Sequence, residues 1–338
     1  MAEIVFPVAA IGLVFFVLIP ALTLLSKAAL SSRRARSTDW ASFGVDTTFA
    51  WLVAPVLLPV MWLASATLHQ LEPSRAIEPC FVDHVEATSC IDAVLLMGLL
   101  FIGGLWVLYR QLRGAAAGMR FEAVGDHHPA MMRTASILAT DERLRRLRVT
   151  VVEGSSVPVC AVGFLRPRVI LDACFIRGAD DALLISALLH EYAHVTSRDT
   201  LRGLVARLCL AVNPLGHLLT AELARWEQAR EALCDSEAVH LGGDPLALAE
   251  GIVRAARFRC SNHNIPFASM LCGHNASALK LRLNLLLGGP SAPRRTWGHA
   301  ILLAALLAVV LMPHYGPTGL LEYFHFEVER LFYTLLQG

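Results

Sequence analysis

Long apolar runs alternate with segments of shorter period along this chain. Roughly residues 4–26, 48–68, 92–109 and 297–314 are apolar stretches, each long enough to cross about 30 Å of hydrocarbon as a helix. The second carries Pro55 and Pro59, which a packed membrane helix tolerates as a kink. The first follows Met1-Ala2-Glu3, which has no basic residue. Its apolar core is overlong and no small-residue cleavage site follows, so it predicts a retained helix and not a signal peptide. Between the third and fourth runs the period changes. Pro129 to Leu144 predicts a helix with a charged end. Val149–Val152, Val159–Phe164 and Arg168–Leu171 predict short strands, with Ser155, Ser156 and Pro158 breaking the first and Gly163 and Pro167 marking bends or an edge. Asp180 to Thr196 holds no glycine or proline and predicts a helix. Thr200–Val212 predicts another, broken at Asn213-Pro214, and a long helix follows from about Leu215 to Val239, ending before Gly242-Gly243. The expected fold class is mainly α with a small β-sheet, integral to a membrane through about four helices.

Composition agrees. With 55% hydrophobic and 17% charged residues, the chain is far more apolar than an ordinary soluble domain. A net charge of +1 with no basic stripe excludes a direct nucleic-acid binder. Lys27, Arg33, Arg34 and Arg36 follow the first run, Arg110, Arg113 and Arg120 follow the third, and Arg294 and Arg295 precede the fourth. The loop 69–91 has Arg75 alone among Glu72, Glu78, Asp83 and Glu86. Positive residues stay inside, which predicts a multi-pass protein of the plasma (inner) membrane with both termini outside. The expected organisation is a membrane domain 1–110 with three spans and the outside loop 69–91, a cytoplasmic domain 111–296, a fourth span 297–314, and a short outside tail 315–338. In that tail Leu320–Leu336 predicts a short amphipathic helix. Cys80 and Cys90 share the outside loop, where oxidising conditions favour a disulfide between them. Cys160, Cys174, Cys209, Cys234, Cys260 and Cys272 fall inside, and without a CxxC pairing they are expected to be small buried apolar residues.

The chemistry lies in His190-Glu191-Tyr192-Ala193-His194. On a helix, residues four apart stack, so His190 and His194 aim both imidazoles at one point. Two neutral imidazoles suit Zn²⁺, and Glu191 beside them can deprotonate a water held there. Such a site still needs a third protein ligand. Glu227, Glu231 and Asp235 stand at successive i, i+4 positions of the later long helix. A stripe of this kind is often only a solvated face, but here it can deliver a carboxylate from a second helix while leaving a position open for water. A strand beside the metal helix would matter too, because extended peptides dock by strand addition.

The HEYAHVTSRD run 190–199, followed by Glu231-Ala232-Leu233-Cys234-Asp235, resembles the HExxH and ExxxD motifs of gluzincin membrane proteases. The pattern is most similar to the BlaR/MecR-type antirepressor metallopeptidases. Ser156-Val157-Pro158 with Val162-Gly163-Phe164-Leu165-Arg166-Pro167-Arg168-Val169-Ile170-Leu171, Asn213-Pro214-Leu215 and Ala278-Leu279-Lys280-Leu281-Arg282 resemble further segments of that family. The resemblance implies a gluzincin-type zinc protease domain binding one Zn²⁺ per chain through His190, His194 and Glu231. It implies Glu191 as the general base for attack of zinc-held water on a peptide bond, and Asp235 as a partner that hydrogen-bonds a ligand histidine. Asp199, which follows the HExxH, is expected to tie the helix end to a neighbour from outside the ligand set. The implied substrate is a cytoplasmic protein, either a transcriptional repressor or the chain itself, in a signalling pathway. A homo-oligomer is compatible with it. Gly338 follows the fourth apolar run closely, leaving no room for the family's penicillin-sensor domain, so β-lactam sensing is not expected. The group that stabilises the oxyanion is not legible. His217, His240, His263 and His274 qualify by residue type only.

Two other readings share parts of this pattern. A quality-control or processing protease of the HtpX or CAAX kind shares HExxH and ExxxD. A non-catalytic receptor or scaffold would keep a structural zinc site, but it has no need of a carboxylate at position 191. A transporter fits poorly, because the apolar runs lack charge at mid-depth.

Overall fold

The computed structural model describes residues 12–36, 44–70, 98–99, 102–110, 112–113, 123–155, 157–257, 269–270, 276–288 and 298–315. It is mainly helical with one small sheet. A π-helical turn, Val14–Leu18, leads into α1 (Ile19–Arg36), and α2 covers Val45–Gln70. Next come α3 (Pro129–Leu138), α4 (Glu142–Arg145), β1 (Val149–Val152), β2 (Val159–Val162), β3 (Arg168–Asp172) and α5 (Ala173–Gly178). The two histidines lie on α6 (Asp181–Thr196), followed by α7 (Asp199–Val212), a 3₁₀ turn Gly216–Leu219 and α8 (Thr220–His240). The remaining elements are α9 (Pro245–Arg257), β4 (Ser269–Met270), α10 (Ala276–Leu287) and α11 (Gly298–Tyr315).

Two helices, Val14–Arg34 and Val45–Ser65, are long and apolar enough to cross a membrane, and Ala300–Val309 within α11 is a shorter apolar helix. Of the third run, residues 102–110 are helical and most of the rest lies outside the described residues. The first helix also differs from its expected extent, since it runs on to Arg36. The basic cluster after the apolar run therefore stays helical, and its charges meet Glu222 on α8: Arg34 Nη2 lies 2.8 Å and Lys27 Nζ 3.6 Å from Glu222 Oε1. α11 starts hard against the start of α2. A Cβ on Gly298 would strike the backbone of Asp46 and Thr47, so only glycine admits this approach.

The sheet order is β1-β3-β2-β4, with β1 parallel to β3 and the other pairs antiparallel. β2 ends at Val162, two residues short of the expected strand, because Gly163 adopts φ +93° and turns the chain toward β3. The strand touching α6 is β2, and β4 on its other side makes it an internal strand. The single helix expected over 129–144 is two. Asp141 accepts a hydrogen bond from the Arg143 amide at 2.7 Å and caps α4, starting a new helix. The long helix begins at Thr220, not Leu215. The side chain of Asn213 accepts from the Leu215 amide at 2.9 Å and forms a turn there.

α6 is the axis of the inner part, touching β2, α3, α4, α7, α8 and α9. Asp180 caps it by accepting from the Leu183 amide at 2.8 Å. Its Leu183, Leu184, Leu188 and Leu189 are buried with Val151, Val169, Leu171, Ile176, Leu248 and Ile252 in one core. Each such side chain contributes about 1.5–3 kcal/mol. A second core joins the apolar helices to α7 and α8 through Phe49, Leu52, Val53, Ala206, Cys209, Leu219 and Trp226. Cys160, Cys209 and Cys234 are buried as expected, but Cys174 is exposed on the first turn of α5. Cys80, Cys90, Cys260, Cys272 and the tail after Tyr315 lie outside the described residues.

Candidate metal centre

The polar face of α6 meets the polar face of α8 inside the protein. His190 and His194 stand one turn apart and are both buried. Their Nε2 atoms are 3.1 Å apart and their rings cross at 76°. Glu231 on α8 reaches both, with Oε2 3.5 Å from His190 Nε2 and Oε1 3.5 Å from His194 Nε2. His190, His194 and Glu231 thus form one group whose donor atoms all lie within 4.8 Å of one another.

The opposite edge of each ring faces another carboxylate. Asp235 Oδ1 lies 2.9 Å from His190 Nδ1, and Asp199 Oδ2 lies 2.8 Å from His194 Nδ1. A carboxylate facing Nδ1 favours the proton there, so that Nε2 is the nitrogen each ring would offer a metal. His190 Nε2, His194 Nε2 and a Glu231 oxygen converge, and two imidazoles with one carboxylate are a donor set that fits Zn²⁺.

Asp199 is therefore more than a tie at the helix end. The chain leaves α6 through Arg198, whose φ of 53° makes it left-handed, and this tight turn returns Asp199 onto His194. The Asp199 carboxylate is also contacted by Arg230 of α8. Arg282 on α10 grips Asp235 with Nε and Nη2, each at 2.7 Å, and reaches Glu231 with Nη1 at 3.0 Å. Two-point contacts of this kind fix direction as well as charge.

The electrostatics follow from burial and these partners. Burial disfavours charge on His190, but the Asp235 and Glu231 carboxylates outweigh it and raise its pKa to about 9. Burial likewise opposes charge on Glu231, Asp235 and Asp199. Arg282 pulls the first two below the ordinary carboxylate range, while His194 and Arg230 pull down the third.

Glu191 differs from the rest. It is fully buried, and among the described residues neither carboxylate oxygen has a side-chain hydrogen-bond partner. Burial pushes its pKa up against the pull of the two histidines, and the Ala161 backbone on β2 favours its charged form. A carboxyl with a raised pKa beside a cation site is suited to taking up and returning a proton.

A second donor group, His194, Asp199 and Cys234, lies on the other side of the His194 ring. Arg230 already contacts both Asp199 and Cys234, the latter at 3.5 Å, so a guanidinium occupies the place of a cation there. Burial also holds the Cys234 thiol well above its ordinary pKa, which disfavours the thiolate a metal needs. The first group is the better site.

Glu227, though in the same stripe, turns away and pairs with Arg207 of α7 at 2.6 Å. His217 and His240 are exposed, and His263 and His274 lie outside the described residues. Arg230, Cys234 and Arg282 were not legible as site residues. One signal for the first two is the row Glu222, Trp226, Arg230, Cys234 at i, i+4 spacing, all buried, which marks a face turned inward. No model of a known protein family and no curated protein matches this chain.

Proposed function

We propose that this chain is an integral-membrane zinc endopeptidase of the gluzincin type, similar to the BlaR/MecR antirepressor peptidases, that cuts a cytoplasmic protein. The observation that carries the reading is the convergence of His190 Nε2, His194 Nε2 and Glu231, with the buried Glu191 carboxylate, bound by no side chain among the described residues, alongside. Zinc held by the first three residues would supply a Lewis acid that polarises a scissile carbonyl and acidifies water. The chain's own residues do the rest. Glu191 accepts a proton from the attacking water and returns it to the leaving amine. Asp235 and Asp199 keep the histidine rings oriented, and Arg282 and Arg230 hold those carboxylates in place. Glu231 retains 17% side-chain exposure, the largest among the four residues of the centre, so a substrate would approach from its side.

β2 is paired on both sides, by β3 and by Ser269–Met270 of β4, so a substrate strand would have to displace β4 to pair with it. The substrate on this reading is a cytoplasmic repressor or the chain itself. The membrane reading rests on the two long apolar helices, the exposed apolar side chains Phe16, Leu24, Ile301 and Leu307, and the adjacent starts of α2 and α11, which send both helices off the same side. With basic residues inside, the metal centre is cytoplasmic, the termini lie outside and four spans complete the topology.

The test compares full-length wild type with Glu191→Gln in detergent, following fragments by mass spectrometry, alone and with cytosolic extract. The expected result is about one zinc per chain in both forms and fragments from the wild type only. Equal fragmentation in both forms, or none in either at full zinc loading with extract present, would overturn the reading.

A further inference from the structure

The apolar helix α2 is joined to the metal centre by an unbroken line of charges. Asp46 stands in its first turn. Arg202 of α7 donates from Nη2 to Asp46 Oδ1 at 2.7 Å, and its Nη1 lies 3.7 Å from Asp199 Oδ1. The other oxygen of Asp199 is the one 2.8 Å from His194 Nδ1. Arg202 is held in place, with its guanidinium 4.9 Å from the Phe49 ring of α2 and 6.0 Å from the Trp226 ring of α8. Any displacement of α2 moves Asp46 and Phe49 together, and both bear on Arg202, which reaches Asp199.

We propose that Asp46 is a positioning residue for the metal centre, acting through Arg202 and Asp199 on the ring of His194, so that the seating of α2 sets metal affinity. This inference rests on the zinc reading above. Arg202 shares the Asp199 carboxylate with Arg230. When Asp46 holds one end of Arg202, the guanidinium draws on Asp199 Oδ1, and Oδ2 is shared by His194 and Arg230. Without that anchor, Arg202 shifts toward Asp199, and the carboxylate that fixes the His194 tautomer rotates.

A second tie offers the control. Glu222 on α8 binds Arg34 and Lys27 of α1 and Arg225 of its own helix, but it has no link to a ligand histidine. Both ties hold an apolar helix to the inner part, and only the Asp46 line ends on the metal centre.

The experiment measures zinc affinity by chelator competition, and the visible absorption band of the cobalt-substituted protein, on full-length folded protein in detergent. Asp46→Asn is expected to weaken zinc binding about tenfold, at the lower end of what partners of ligand residues contribute, and to shift the cobalt band. Asp46→Glu restores both. Glu222→Gln lowers the unfolding temperature and changes neither. Unchanged affinity and band in Asp46→Asn would overturn the proposal, as would an equal loss in Glu222→Gln. Should Asp46→Asn not fold, Arg202→Lys carries the test. A lysine keeps the charge but cannot span both carboxylates, so its zinc affinity must fall, and an unchanged affinity overturns the proposal. A wild type that binds no zinc sensitive to His194→Ala would defeat the metal reading itself, and the proposal with it, a result distinct from intact zinc binding that ignores Asp46.

Discussion

The two faces of α6 are equally buried and built in opposite ways. One presents Leu184 and Leu188 to a core of aliphatic side chains. The other presents His190, Glu191 and His194 to carboxylates and guanidiniums on α7, α8 and α10. The apolar face is held by volume, and any well-fitting side chain serves it. The polar face is held by charge balance, in which removing one partner strands another in a medium that penalises bare charge. The difference teaches that the second face was not assembled for stability, because an apolar pair would fill the same space at lower cost. Its organisation makes sense as a cation site with a proton acceptor beside it.

Breaking the polar face should separate chemistry from folding. Glu191→Gln is expected to lower peptide cleavage about a thousandfold, within the range for loss of a general base, while zinc content and thermal unfolding stay near wild type. Asp235→Ala leaves Arg282 buried without its bidentate partner and should destabilise the fold by about 3–5 kcal/mol, with loss of zinc. Calorimetry with metal analysis reads both effects. On the apolar face, Leu188→Ala should cost about 3 kcal/mol through the cavity it leaves, yet the folded fraction should hold zinc at wild-type stoichiometry. Loss of zinc there would collapse the distinction between the faces. Asp199→Asn should weaken zinc by about 10–100-fold, checked by chelator competition, and lower stability as well, because the buried Arg230 loses its carboxylate. Smallest of all, Glu227→Gln removes a partly exposed pair with Arg207. It should change the unfolding free energy by no more than about 0.5 kcal/mol and leave zinc binding untouched.

The sequence showed the site through α6 and hid much of what surrounds it. HExxH on a helix free of glycine and proline fixes two donors by spacing alone, and the aliphatic run before it marks the buried axis. The ligand from α8 was open among Glu227, Glu231 and Asp235 until the resemblance chose among them, because i, i+4 spacing does not say which residue faces the neighbouring helix. Arg282 and Arg230 act over 47 and 31 residues of separation, a pairing no local pattern encodes. Asp46 carries no mark in the sequence, and its partner Arg202 lies 156 residues away. Whether Gly163 marked a bend or an edge stayed open, because β4, which pairs with β2, is two residues long, too short to leave a period in the sequence.

The most direct test is zinc-edge X-ray absorption of the purified full-length protein. The account predicts only nitrogen and oxygen neighbours at about 2.0–2.2 Å, with the scattering signature of two imidazoles. A sulfur neighbour at about 2.3 Å would place the ion with Cys234, Asp199 and His194 instead, away from Glu191, and would contradict it.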